Sequence, residues 1–297
     1  MNPWTRSLPI IACALLCVAL ALPATGLRAA EATHPERIAL IVGNSAYARL
    51  PLRNPVNDAR AVSAALRELG FDVIQRENAT YAGMIDAMRD FLDRAATSRV
   101  RVIYFAGHGA QYRGRNFLIP VDALLRSEED LSHRAANASE LIDKLAQLKS
   151  GVNVVILDAC RDAAYPLLAK TRNPHVARTV QPGFAESTRA PQGTLIAFST
   201  APGSVALDGP GNHSAYTRHL LTQIKEPGLP IENLFKRVRD GVVRDTAQKQ
   251  VPWESSSLVG DFCFRLTPEG ACPALAMPSS GSPPSSMARI ARANSTR

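Results

Sequence analysis

Two reactive side chains stand at the ends of apolar runs. Val152 to Leu157 is apolar but for Asn153, and it ends in Asp158-Ala159-Cys160. Val102-Ile103-Tyr104-Phe105 ends in Ala106-Gly107-His108-Gly109. Such runs read as strands of a parallel sheet buried on both faces, and sheets of that kind collect their sites at the carboxyl ends of strands. A thiol becomes a useful nucleophile when an imidazole stands beside it to take its proton. The chemistry expected is acyl transfer, with Cys160 as nucleophile and His108 as base and then acid.

The elements that must carry these ends follow in order. Arg37 to Asn44 reads as a central strand stopped by Gly43-Asn44. Asn57 is the expected N-cap of a helix with Val62, Leu66 and Leu69 on one face, ending at Gly70. Phe71 to Ile74 is a second strand. Thr80 caps a helix that turns Met84, Ile85, Met88 and Leu92 inward. Arg99 to Phe105 is the third strand and Phe117 to Pro120 a short extended piece. A helix over Ser139 to Leu148 leads into the strand that ends at Cys160. Strands alternating with helices at this spacing predict an α/β fold with a mostly parallel central sheet and helices on both faces. Residues 163–192 break the pattern with four prolines and scattered Lys and Arg, a loop of the length associated with function or mobility. Thr194 to Ser199 restores a strand, Ser214 to Ile224 and Ile231 to Asp245 are helical, Pro252 to Ser257 reads as a loop, and Phe262 to Phe264 as a short closing strand.

The 297 residues carry a scattered net charge of +8, with no basic block and no aromatic interleaving. Nucleic acid is therefore not an expected partner. Residues 1–30 read as a secretory signal: Arg6 supplies the positive start, Leu8 to Leu22 an apolar segment too short to span a membrane, and Ala24-Thr25-Gly26 a small-residue cleavage site. The expectation is an exported protein, periplasmic or extracellular, with no membrane span in its mature form. Cleavage leaves Cys160, Cys263 and Cys272. Cys263 and Cys272 can close a small disulfide loop and leave Cys160 as the odd reactive thiol; the alternative is three reduced cysteines. His133, His175, His213 and His219 show no metal spacing and read as structural or surface residues. Asn44, Tyr47 and Ser199 stand near strand ends, where lining a cleft and packing a turn are equal readings.

The residues also resemble a known family. His108-Gly109 after one strand and Ala159-Cys160 after the next resemble the signature of caspase-like cysteine peptidases, in which the histidine lies about 50 residues upstream of the cysteine. Gly43-Asn44, Asn57-Asp58 and Asp158 make the likeness closest to the bacterial caspase and metacaspase branch. The resemblance covers Arg37 to Phe264. It implies a caspase-like three-layer sandwich: a larger segment over 35–165 holding His108 and Cys160, a mobile intersegment loop over 166–192, and a smaller segment over 193–268 completing the same domain; the Pro-, Ser-, Ala- and Gly-rich composition from Pro268 reads as a disordered tail over 269–297. It implies a cysteine endopeptidase acting on protein or peptide substrates, with backbone N–H groups of Gly109 and Cys160 holding the oxyanion and no third residue orienting the imidazole.

Asp58 and Asp158 match the acidic positions with which metacaspases bind basic side chains, which implies cleavage after Arg or Lys. The plain alternative is that Asp58 caps a helix and Asp158 a turn, with cleavage after Asp or a catalytically idle binding module as rival functions. Lys170, Arg172, Arg178 and Arg189 become candidate self-processing sites. Calcium activates some metacaspases, but Glu128, Glu129 and Asp130 lack the periodicity of a calcium loop. No cofactor and no metal site are expected.

Overall fold

A computed structural model of the protein describes residues 36–148, 150–160, 180–182, 190–201 and 211–273. The signal-like start, the four basic positions of the intersegment loop and the tail beyond 273 lie outside the described residues. Those described belong to one compact unit, His34–Arg297.

Its frame is a sheet of six strands in the order β2-β1-β3-β6-β8-β9. These are β1 (Arg37–Gly43), β2 (Asp72–Glu77), β3 (Val100–Tyr112), β6 (Val152–Cys160), β8 (Thr194–Phe198) and β9 (Trp253–Ser256). All neighbours run parallel except β9, which pairs antiparallel with β8 at the edge. Two short strands, β4 (Arg115–Leu118) and β5 (Ala136–Asn137), extend the far end of β3, and β7 (Val180–Pro182) pairs with the same stretch.

Alternation along β1 shows why the sheet is sandwiched. Ala39 and Ile41 face a core shared with α1 (Pro55–Glu68), α5 (Ala215–Gln223) and α6 (Ile231–Asp245). Ile38, Leu40 and Val42 face another, shared with α2 (Tyr81–Ala95) and α4 (Ala138–Ala146). Successive side chains of a strand point to opposite faces, so a continuous apolar run needs cover on both. The result is the expected three-layer α/β sandwich. A third, smaller cluster holds Tyr47, Ala110, Phe117, Ile119, Leu125 and Leu131, and packs around the β3–β4 hairpin; α3 (Leu131–Arg134) closes it.

Several local expectations are corrected. Helix α1 starts at Pro55, two residues before Asn57, because proline suits the first helical position with its fixed φ and missing donor. Strand β3 does not stop before His108. It continues to Tyr112 by exchanging its parallel neighbours for antiparallel β4. Trp253 to Ser256 is a strand rather than a loop: an edge strand is half-buried and needs no apolar run. Phe262 to Phe264 is not a strand. Its two rings are buried in the helical core, and its backbone makes only isolated bridges. Within the expected intersegment loop, Val180–Pro182 is strand β7. Residues 269–273, expected in the tail, form a turn in which Gly270 N–H donates to the Thr267 carbonyl. The structure closes that turn with a Cys263–Cys272 disulfide, Cα to Cα 5.5 Å.

Candidate active site

Strands β3 and β6 are direct parallel neighbours in a register that runs from Val100 and Val152 to His108 and Cys160. The histidine and cysteine positions are therefore register partners, on backbones about 4.8 Å apart. A slip of one residue would carry one side chain to the opposite face.

His108 is buried and held from three sides. Its backbone N–H donates to the Tyr47 hydroxyl at 2.9 Å, and that hydroxyl donates in turn to the Ile119 carbonyl at 3.0 Å. The Tyr47 ring lies 4.4 Å from the imidazole, tilted by 52°. The imidazole Nε2 is 2.8 Å from the backbone oxygen of Leu50. A carbonyl only accepts, so Nε2 carries the proton and Nδ1 holds the lone pair of the neutral ring. Gly107 makes the approach possible. It has φ of 154°, and a Cβ there would come within 2.6 Å of the Tyr47 hydroxyl. Gly109, half-buried, follows His108 and pairs with Leu118 across the hairpin.

The orienting Leu50 carbonyl corrects the expectation that nothing beyond the two residues holds the ring. No sequence signal could reveal it, because any residue offers a carbonyl. Leu50 itself sits at φ of 57°, a region that costs an L-residue about 1–2 kcal/mol.

The two aspartates meet on the first turn of α5. Ser214 is its N-cap, and its Oγ accepts from Thr217 N–H at 2.9 Å. The Ser214 N–H lies 3.3 and 3.2 Å from the two oxygens of Asp58. The Ser214 hydroxyl donates to Asp158 Oδ2 at 2.6 Å, and the Thr217 hydroxyl donates to the same oxygen at 2.9 Å. With its proton committed there, Thr217 Oγ1 accepts from the Tyr104 hydroxyl at 2.6 Å. Burial first, then the charges of Asp158 and Asp58, hold the Tyr104 phenol well above its ordinary pKa. Asp58 lies inside the first turn of α1 and Asp158 inside β6, and both hold the start of α5. Gly43 lets α1 press close enough to deliver Asp58, since a Cβ there would meet the Pro55 carbonyl oxygen at 2.4 Å.

His213 was read as structural or surface, yet its Nδ1 is 2.8 Å from Asp58 Oδ1. The buried hydroxyls of Ser199, Thr200 and Tyr216, like that of Ser63, have no hydrogen-bond partner among the described residues. Ser199 and Thr200 follow β8, the neighbour of β6, and the Tyr216 phenol is raised well above its ordinary pKa by burial and then by the charge of Asp158. Asn44 does not line a cleft; it is fully buried and ties Ala79 N–H and the Ile119 carbonyl to the end of β1. Among the described residues no three His, Cys, Asp or Glu side chains converge as a metal site. Asp130 instead accepts from the backbone N–H groups of Arg126 and Ser127.

Comparison with known sequences decides the family. The caspase domain matches residues 36–263, most of the chain. The protein belongs to the caspase-domain family. A stretch of 129 residues is 32% identical to the mucosa-associated lymphoid tissue lymphoma translocation protein 1 homolog of Mus musculus and, equally, to the Homo sapiens protein of that name. That stretch covers 42% of this chain and 15% of either relative. The matched family is the caspase domain of the C14 peptidases. No helix among the described residues is long and apolar enough to cross a membrane.

Proposed function

We propose that this caspase domain is an active endopeptidase that cleaves after Arg or Lys. The observation that carries the reading is the pairing of His108 with Cys160 in register on adjacent strands. The Cys160 sulfur gives its proton to His108 Nδ1 and attacks the scissile carbonyl carbon. The Leu50 carbonyl keeps the other ring proton on Nε2 and steadies the imidazolium that forms. Backbone N–H groups of Gly109 and Cys160 receive the oxyanion, each such donor supporting about 2.7–4 kcal/mol of barrier lowering. The C–N bond breaks as Nδ1–H protonates the departing amine. A water, deprotonated by the same nitrogen, then releases the acyl group from sulfur.

Two carboxylates gathered on one serine favour a cationic substrate side chain. A guanidinium brings five donors in a planar fork that suits paired carboxylates. The reading extends to an exported protein working outside the cytoplasm; the signal-like start and the Cys263–Cys272 disulfide support it.

A fluorogenic panel varied at the residue before the scissile bond tests the function. Turnover confined to Arg and Lys, and lost in Cys160→Ala, is expected. Turnover after Asp alone would reverse the specificity, and no turnover of any peptide would leave an idle binding module.

A further inference from the structure

We infer that a pocket beside the base receives the substrate segment that departs after cleavage, and that it selects an apolar residue with a carboxylate close behind it. The inference rests on the reading that His108 and Cys160 act together on one peptide bond. The pocket holds about 270 Å³ and lies between the loop after β1 and the segment over 121–126. Tyr47 is its wall toward the site: the side chain that lines the pocket has its ring 4.4 Å from the imidazole of His108. Arg49 lines it too, one residue before the Leu50 carbonyl that meets Nε2.

The order of the strands sets the direction. The thiol position ends β6, β3 carries the imidazole, and β1 is next along the sheet. An amide whose carbonyl carbon meets Cys160 and whose nitrogen takes its proton from His108 runs from β6 toward β3. The chain beyond that nitrogen then continues toward β1 and the loop that follows it, where the pocket lies.

The lining fits such a segment on two counts. Val121, Leu124 and Leu125 give it apolar walls. Leu124 is 62% exposed and Leu50, next to Arg49, is 39% exposed, and apolar side chains left in water together mark a surface that gains from being covered. Charge is the second count. Arg49 and Arg126 stand in the lining against one acid, Asp122. Asp122 Oδ1 accepts from Tyr81 N–H at 2.8 Å, while neither guanidinium has a hydrogen-bond or ion-pair partner among the described residues. A carboxylate complements that balance, and a second cation opposes it.

Both walls are fixed in advance by one dipeptide, Asn78-Ala79. Asn78 Oδ1 accepts from the N–H groups of Ser45 and Ala46, each at 2.9 Å. The Ala79 carbonyl accepts from Val121 N–H at 3.1 Å. At the other end of that wall, Arg126 N–H donates to Asp130 Oδ2 at 2.6 Å. Walls already held spare the ordering cost of binding.

Internally quenched peptides test the inference, each carrying before the scissile bond the residue that the fluorogenic panel selects. The two residues after the bond are Leu-Glu, Leu-Lys or Gly-Glu. Values of kcat/KM are compared within each of three proteins, the wild type, Arg126→Glu and Leu124→Ser, so a change in overall activity cancels from the ratios. Both substituted side chains are exposed, and thermal melts establish folding. In the wild type Leu-Glu should exceed Leu-Lys and Gly-Glu by about tenfold each. Arg126→Glu should bring the Leu-Glu to Leu-Lys ratio to one or below, and Leu124→Ser should flatten the Leu-Glu to Gly-Glu ratio. Flat ratios in the wild type, or a ratio that its variant does not move, would overturn this inference alone. Flat ratios with a rate that octanoate alters would give the pocket to a separate ligand and overturn it equally. No turnover of any peptide by the wild type would overturn both it and the reading beneath it.

Discussion

The imidazole Nε2 of His108 lies 2.8 Å from the backbone oxygen of Leu50, a residue held at φ of 57°. The loop that presents this carbonyl is fixed by Leu52 N–H on the Ser45 carbonyl at 3.0 Å and by Tyr47 beneath the ring. Strain in the backbone thus sets the tautomer of the base.

This gives a first prediction. Leu50→Asn tolerates the positive φ and should keep kcat within about threefold of wild type. Leu50→Pro fixes φ near −65° and draws the carbonyl off the ring. The proline variant should lose about 10²-fold in kcat with little change in KM, the magnitude of a misplaced general base. Steady-state kinetics on one arginyl peptide decide it; equal kcat in both variants would remove Leu50 from the mechanism.

Ser214 joins the two acids and caps α5 at once. Ser214→Ala should cost about 1–2 kcal/mol in urea unfolding, the worth of a helix cap and a charge-assisted bond. It should also raise KM for arginyl peptides while leaving kcat close to wild type. A variant with weakened folding but unchanged KM would separate the cap from substrate binding.

Tyr104 and Tyr216 are two of the six tyrosines, and both phenols are pushed well above their ordinary pKa, by burial first. Their folded-state pKa values exceed the unfolded ones. The stability they lend is therefore complete below about pH 10 and is lost as pH rises above it, where the unfolded chain releases two protons that the folded chain keeps. Titrating phenolate absorbance alongside circular dichroism should show these two ionising only as the fold is lost. All six titrating while the fold persists would contradict the burial.

The Cys263–Cys272 bridge closes a short loop beside the buried Phe262 and Phe264. Reduction, or Cys263→Ala, should lower stability by about 2–3 kcal/mol, read as a fall in the thermal midpoint. A midpoint unmoved by reductant would show that the bridge holds only a frayed end.

The sheet was legible because β1, β3 and β6 are nearly continuous apolar runs, and such runs leave little choice but burial on both faces. The apolar runs that lead to His108 and Cys160 were legible for the same reason. The edge strand β9 was not, since Trp253-Glu254-Ser255-Ser256 is half-exposed and lacks an apolar signature. Phe262 and Phe264 misled in the other direction, because aromatic pairs that fill a core look like strand residues. At the site, the Leu50 carbonyl has no sequence signature. His213 was invisible as a partner of Asp58 because the contact joins the start of α5 to α1, far apart in the chain.

The central claim is that the thiol and the imidazole on neighbouring strands act on one peptide bond. Its most direct test is kcat/KM on an arginyl peptide for the wild type, Cys160→Ala and His108→Ala. The account predicts measurable wild-type turnover that falls by at least about 10³-fold in each variant, with the double variant no worse than either alone, as for residues that work as a unit. Turnover that survives removal of either side chain would contradict it.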